Sequence, residues 1–275
     1  MMNTNNTSTW NDLSKFDEHT EEVEEYCQEH AQRKVLFMGK GPFCPVCSAE
    51  KVKEEHKVEA IEMTERHENS PSDWLKDKSI YLDKTIRYAN FDSYITDDKE
   101  TKENKKKALE IVRDYYEGAT YNTILQGKAG TGKSHLAMST LKYINQYSKE
   151  PKKCLFVSID ELMRRIKASF NDKESIYTEA NMVRMLSQVD FLVLDDLGAE
   201  TGSIHSEKVA TDYTTQILYA VMNARQDKPT IFTTNLSNEN LVKKYDTKLV
   251  SRMFKGAEGH FVKFEKTTDK RASNR

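Results

Sequence analysis

The sequence predicts an α/β protein in which a parallel β-sheet is flanked by helices. Three observations carry this. From about residue 120 onward, short apolar runs alternate with amphipathic helical stretches, as they do when helices cover a sheet of parallel strands. One of these runs, "FLVL", is apolar at consecutive positions, the pattern of a strand buried on both faces. A glycine-rich loop, "GKAGTGKS" at 127–134, stands between the apolar stub "TILQ" and a helix-like run.

Composition sets the outer limits. At 275 residues the chain is long enough for one large domain and a smaller one. Hydrophobic residues make up 37%, enough for a buried core. Charged residues reach 31% but balance to a formal net charge of −2, which excludes a globally basic coat for nucleic acid and permits a local basic patch. No run approaches the roughly 18 apolar residues of a membrane span. The opening "MMNTNNTSTWNDLSKF" lacks the apolar centre of a signal peptide. A cytoplasmic protein is expected, in a compartment where disulfides are rare. The four cysteines therefore need another reason.

That reason lies in their spacing. Cys27 and His30 form a C-x₂-H pair; after thirteen intervening residues Cys44 and Cys47 form a C-x₂-C pair. Two such pairs on turns converge to a tetrahedral Cys₃His site for zinc. Gly41, Pro42 and Pro45 suit the tight turn. Too little apolar mass surrounds them to fold unaided, so Zn²⁺ is expected to be part of the fold. His56 rivals His30 as the ligand, but it sits between charged residues on a helix and is expected to face solvent. Cys154, at the start of an apolar strand, reads as core. Residues 1–65 are taken as the zinc-binding domain. "AEKVKEEHKVEAIEMTERHE" reads as an exposed helix, broken at "ENSPSDW" because Ser70 precedes a proline. Residues 66–119 are taken as a helical linker and 120–275 as the α/β domain.

The glycine loop fits G-x-x-x-x-G-K-[ST] from Gly127 to Ser134. Gly127, Gly130 and Gly132 let the backbone turn tightly and lay its N–H groups on phosphate oxygens. Lys128, Ala129, Thr131 and His135 complete the expected nucleotide contacts. The helix from Lys133 adds the positive end of its dipole. Lys133 would reach the β- and γ-phosphates and Ser134 would ligate Mg²⁺, so ATP with Mg²⁺ is the expected cofactor.

"DFLVLDDLG" runs four apolar residues into Asp195 and Asp196, acids at the C-terminal end of a strand, where open α/β sheets bind ligands. Asp195 would hold Mg²⁺ and Asp196 would polarise the attacking water; the plainer reading is a pair of helix-capping acids. "PTIFTTN" ends in Asn235, which suits either orientation of that water or a helix cap. Arg252 in "KLVSRMFKG" fits an arginine finger or a surface salt bridge. Arg164, Arg165 and Lys167 fit a channel lining or a solvated helix face. The backbone and hydroxyls of Gly202 to Lys208 suit phosphates. Tyr88 and Phe91 are candidates for the adenine pocket.

"GKAGTGKSHLA", "FLVLDDLGAE", "NARQDKPTIFTTNLS" and "LVSRMF", in this order and spacing, resemble the AAA+ helicase loaders of the DnaC and DnaI type, phage versions most of all. "YANFDSY" is similar too, and the resemblance covers roughly residues 85–275. It implies an AAA+ P-loop NTPase fold and an ATPase that binds a replicative DnaB-type helicase and places it on single-stranded DNA. By the resemblance, Lys133 matches the Walker A lysine, Asp195 and Asp196 the Walker B acids, and Asn235 sensor 1. Arg252 matches the finger that serves a neighbour's ATP, which implies self-assembly with ATP or helicase. Arg271 in "TTDKRASNR" matches a sensor-2 arginine. Ser203 and His205 match positions near single-stranded DNA. DnaI-type loaders also resemble this chain in a zinc-bearing N-terminal domain that grips the helicase. Where the family's acid pair can end in Glu, this chain has Asp, one methylene shorter, which implies slower hydrolysis. An IstB-like transposition helper shares most of these motifs and is the alternative; a passive nucleotide-binding adaptor is a second.

Overall fold

The computed structural model describes residues 20–68, 70–172, 174–201 and 210–270. The chain divides into two compact units, residues 1–68 and 69–275.

Among the described residues, the first unit is a three-stranded antiparallel sheet followed by one long helix. Strands β1 (Thr20–Tyr26), β2 (Arg33–Phe37) and β3 (Lys40–Phe43) pair in that order. Phe37 pairs with Lys40, so β2 and β3 are joined by two residues, Met38 and Gly39, with φ of 50° and 73°. Two positive φ angles are what a two-residue hairpin of matching twist requires. Helix α1 (Pro45–Glu68) opens on a proline, whose missing N–H costs nothing at a first helical position. Residues 51–57 of that helix are exposed, as its Lys- and Glu-rich sequence predicts.

The second unit is the expected α/β fold. Its strands are β4 (Thr123–Gly127), β5 (Cys154–Ser158), β6 (Phe191–Leu197), β7 (Thr230–Thr234) and β8 (Phe261–Phe264). They lie in the order β5-β6-β7-β4-β8, and each neighbouring pair is parallel. Successive side chains of a strand point to opposite faces, and here both faces are apolar. Ile124, Leu155, Leu192, Leu194 and Phe232 join one buried cluster. Their chain neighbours Leu125, Phe156, Val193 and Ile231 join the other. Helices α3 (Lys99–Tyr116) and α4 (Lys133–Tyr147) close the second cluster through Ile111, Tyr115, Leu136 and Leu141. Helices α5 (Ile159–Ala168), α6 (Glu179–Gln188), α7 (Asp212–Ala224), α8 (Asn238–Lys244) and α9 (Thr247–Met253) close the first. Cys154 is fully buried at the start of β5, as read from the sequence.

From residue 69 on, the segment read as a linker contributes to this unit. Trp74 and Leu75 of the short helix α2 (Trp74–Asp77) are buried. Ile80 bridges to Val157, with Ile80 N–H to the Phe156 carbonyl and Ser158 N–H to the Ile80 carbonyl, both 2.8 Å. This covers the outer edge of β5, which would otherwise present unpaired groups. α3 starts on a capping box: Asp98 accepts from Thr101 N–H at 2.7 Å, and Thr101 Oγ1 accepts from Asp98 N–H at 3.3 Å.

Arg225 ties together the chain segments that enter the two inner strands β6 and β7. It is buried, and donates to the carbonyls of Leu186, Val189, Asp190 and Pro229 and to the Thr230 hydroxyl. Burial lowers its guanidinium to about 10. Among the described residues no helix is long and apolar enough to cross a membrane.

Candidate functional site

β4 delivers the chain into the glycine loop, and α4 receives it. Gly132 stands immediately before α4 with φ 94°, and a Cβ there would lie 3.0 Å from the Tyr94 ring. Both facts call for glycine. The loop braces itself: Thr131 Oγ1 donates to the Lys128 carbonyl at 2.9 Å, and buried Lys133 donates from Nζ to the same carbonyl at 2.7 Å. Above the loop opens a cleft of about 470 Å³, lined by Ala129 to His135, by Asp196 and Asn235, and by Lys270 from the chain's other end. Backbone N–H groups at a helix N-terminus facing such a cleft form an anion site.

The acid pair lies where β6 breaks register with β7, between Leu194 and Leu197. A bulge of this kind re-aims side chains at a strand end. Asp196 takes φ 58°, and its N–H donates to Thr233 Oγ1 at 2.8 Å. The Thr233 hydroxyl in turn donates to Asp195 Oδ1 at 2.6 Å. One threonine of the neighbouring strand thus fixes both acids. Asp195 is buried, and its carboxyl is raised to about 6, by burial first and then by the charge of Asp196. Hydrogen bonds from Thr233 and Ser134 and the charge of Lys133 oppose the rise. A buried acid bonded to the loop serine and set beside the loop lysine suits a divalent cation: Ser134 and Asp195 would hold Mg²⁺. Such an ion would supply positive charge against the phosphates held by the loop.

The adenine candidates need correction. Tyr88 is 71% exposed, and neither it nor Phe91 lines the cleft. Phe91 instead meets Tyr143 edge-on, with centroids 6.2 Å apart. The apolar lining comes from Ile86, Tyr94 and Ile95. The 3₁₀ turn Lys84–Tyr88 and the Asn90–Ser93 turn, closed by Ser93 N–H to Asn90 Oδ1 at 2.8 Å, decide which side chains turn inward. His135 docks this segment: its Nε2 lies 2.9 Å from the Asn90 carbonyl and 3.2 Å from Ser93 Oγ. Burial lowers its imidazole.

Arg252 lies outside this cleft. Its guanidinium sits over the Tyr219 ring, 4.3 Å from the centroid, and Nη1 donates to the Lys248 carbonyl at 3.2 Å. Arg164 and Arg165 are committed to a neighbour on their own helix: both bond the buried carboxylate of Glu161, at 2.8 and 2.7 Å. Lys167 is exposed. Ser203, His205, the rest of Gly202 to Lys208, and Arg271 lie outside the described residues.

The second candidate site belongs to the first unit. Donor atoms of Cys27, His30, Cys44 and Cys47 all lie within 4.8 Å of one another. Cys27 Sγ is 3.6 Å from Cys47 Sγ, and His30 Nδ1 is 3.8, 3.9 and 3.3 Å from the sulfurs of Cys27, Cys44 and Cys47. A tetrahedral zinc ion, with bonds of about 2.3 Å to sulfur and about 2.0 Å to nitrogen, spaces its donors about 3.5–3.8 Å apart. The cluster fits zinc. Cys27 and His30 share a turn closed by Cys27 N–H to the Gln32 carbonyl at 2.8 Å. The other pair differs from expectation: Cys44 precedes α1 and Cys47 lies in its first turn. His30 Nε2 lies 3.2 Å from Glu50, which leaves Nδ1 for a metal. The His30 backbone N–H, then its ring, holds the Cys27 thiol down at about 6. His56 is not in the cluster.

The strand order, the phosphate loop and the acids at the end of β6 define an AAA+ P-loop NTPase. Within that class, the chain belongs to the family of IstB-like ATP binding proteins, whose pattern matches residues 51–255. It is 35% identical over 123 residues to the replicative helicase loader DnaC of Buchnera aphidicola subsp. Acyrthosiphon pisum, covering 44% of this chain and 46% of that one. To DnaC of Escherichia coli K12 it is 30% identical over 156 residues, covering 55% and 58%. The chain thus spans about half the length of the curated relatives it matches. Two solved structures share the fold: the DnaC helicase loader (22% identity, 66% of this chain and 99% of that one, TM-score 0.51) and DnaI (22%, 68% and 95%, 0.50).

Proposed function

We propose that this chain is an ATP-dependent helicase loader, which binds a hexameric replicative helicase of the DnaB type and places it on single-stranded DNA as replication begins. The observation that supports this most is that the curated relatives at 30–35% identity are named replicative helicase loaders. In this reading the chain hydrolyses ATP to ADP and phosphate, slowly without its partners. Lys133 holds the β- and γ-phosphates, Ser134 and Asp195 hold Mg²⁺, Asp196 polarises the attacking water and Asn235 orients it. Arg252 lies outside its own chain's cleft, so its target is the ATP of a neighbouring subunit, and hydrolysis depends on self-assembly. Arg271 contacts the nucleotide, and Ser203 and His205 contact DNA. The zinc unit, residues 1–65, grips the helicase.

Two experiments test the reading. Arg252→Ala and Asp196→Asn chains should each hydrolyse poorly, while their mixture recovers activity above the sum of the two, because some interfaces then pair an intact cleft with an intact finger. No recovery, under conditions where wild-type chains assemble and hydrolyse, removes the inter-subunit step. Pull-down against a replicative helicase and a transposase decides the partner. The second outcome matters because the matching family pattern is that of IstB-like proteins, which favours a transposition helper as the other reading.

A further inference from the structure

The segment that follows β8 lies against the phosphate loop, and the first turn of α3 holds it there. The Glu100 carboxylate accepts the backbone N–H groups of Glu265 at 2.9 Å, Lys266 at 3.1 Å and Thr267 at 2.7 Å, and also the Thr267 hydroxyl. The Lys270 ammonium pairs with Asp97 at 2.5 Å and Asp98 at 3.2 Å, beside the start of the same helix. On its other side the segment grips the loop. Lys270 N–H donates to the Gly130 carbonyl at 2.9 Å. A Cβ added to Gly130 would fall 1.9 Å from Asp269 Oδ1. Gly130 has φ 73° and stands in the middle of the nucleotide cradle.

We propose that Glu100 is a positioning residue of the nucleotide site: it holds the strap 265–270 in place, and the strap holds Gly130 in the left-handed conformation that the cradle requires. This rests on the reading of the cleft as an ATP site. Residues 265–270 form no helix or strand, so the carboxylate replaces a ladder as the acceptor for their N–H groups. Bonds to an ionised acceptor are the strong kind. Burial raises the Glu100 carboxyl, but the bonds from Thr267, Glu265 and Lys266 outweigh it and keep the group below the usual carboxylate range, hence ionised and an acceptor only. Linkage makes the effect reciprocal. If an ordered strap strengthens nucleotide binding, nucleotide orders the strap by the same factor.

The test uses the full chain with Mg²⁺ and a fluorescent ATP analogue, in wild type, Glu100→Gln and Thr267→Val. Amide exchange at 265–270 is followed with and without nucleotide. Glu100→Gln should bind about tenfold more weakly and Thr267→Val about threefold. In both, the strap amides should exchange faster, and nucleotide should protect them less than in wild type. A merely structural role would lower the thermal midpoint and leave affinity unchanged. If Glu100→Gln does not fold, Thr267→Val, which keeps its shape, decides alone. The proposal is overturned by folded variants that free the strap yet bind with wild-type affinity, or by strap amides that neither variant affects. A wild-type chain that binds no ATP would be evident before any variant is compared, and would remove the nucleotide reading along with the clamp.

Discussion

The two units solve the same problem, holding a chain in one shape, with opposite means. Among the described side chains of the first unit, only Cys27 and Cys44 are buried. The second unit has an apolar layer on each face of its sheet. Where burial is scarce, the donor cluster must also be the glue, and a metal held there would decide whether the unit stands. Where burial is ample, the reactive groups lie along the edge of a core that does not need the ligand. The difference teaches that substitutions of site residues in the two units should fail in different ways: loss of fold in the first, loss of chemistry in the second.

Zinc removal should break the comparison most visibly. Structural zinc in small sites is worth roughly 10–16 kcal/mol at neutral pH. Chelation, or Cys44→Ser, should therefore abolish the protease resistance of the first unit while the melting transition of the second stays in place. A metal-free chain with a resistant N-terminal fragment would contradict this. Next in size is Arg225→Ala. It leaves four backbone carbonyls and the Thr230 hydroxyl without their buried donor, and should cost the second unit about 3–5 kcal/mol in urea unfolding. The zinc content should not change.

Thr233→Val is subtler. It keeps the shape of the side chain but removes the hydroxyl that links Asp195 to the Asp196 N–H. ATP hydrolysis should fall about tenfold or more, with ATP affinity within about twofold of wild type, as single-turnover kinetics and titration would show. The smallest effect concerns Glu161. Burial raises its carboxyl, yet Arg165 and Arg164 outweigh it and hold it below its ordinary value. A depressed folded value means the stabilisation is present above the unfolded value, about 4.3, and is lost as pH falls through the folded one. Glu161→Gln should flatten the acid limb of the second unit's stability curve, by under about 1 kcal/mol because the Arg164 end is exposed.

Much of this architecture can be read along the chain. "FLVLDD" and "GKAGTGKS" carry their meaning locally, since a buried strand must be apolar on both faces and a phosphate loop must turn on glycines. The two cysteine pairs are equally legible, because ligand spacing is a local property. Other residues are silent for a physical reason. Arg225 looks like one more surface charge in "NARQDK", and its burial depends on carbonyls of the distant segment 186–190. Glu100 looks like part of a solvated helix, yet its partners lie at 265–267. Tyr88 and Phe91 are aromatic residues in the right segment, but the turn chemistry at Asn90 and Ser93 brings Tyr94 to the cleft instead.

The strand order has a consequence for how the molecule is made. β4 carries the phosphate loop, yet its two neighbours in the sheet are β7 and β8. A ribosome delivers β4 first, with neither partner in existence. The loop can gain its frame only after residues 230–234 and 261–264 have emerged, and pairing between such distant segments is slow because a long loop must close first. Until then the apolar run "TIL" of β4 and the buried face of α4 stand open to other chains. A nascent chain stalled before β7 should therefore carry a complete zinc cluster and a complete phosphate-loop sequence, and bind only the zinc.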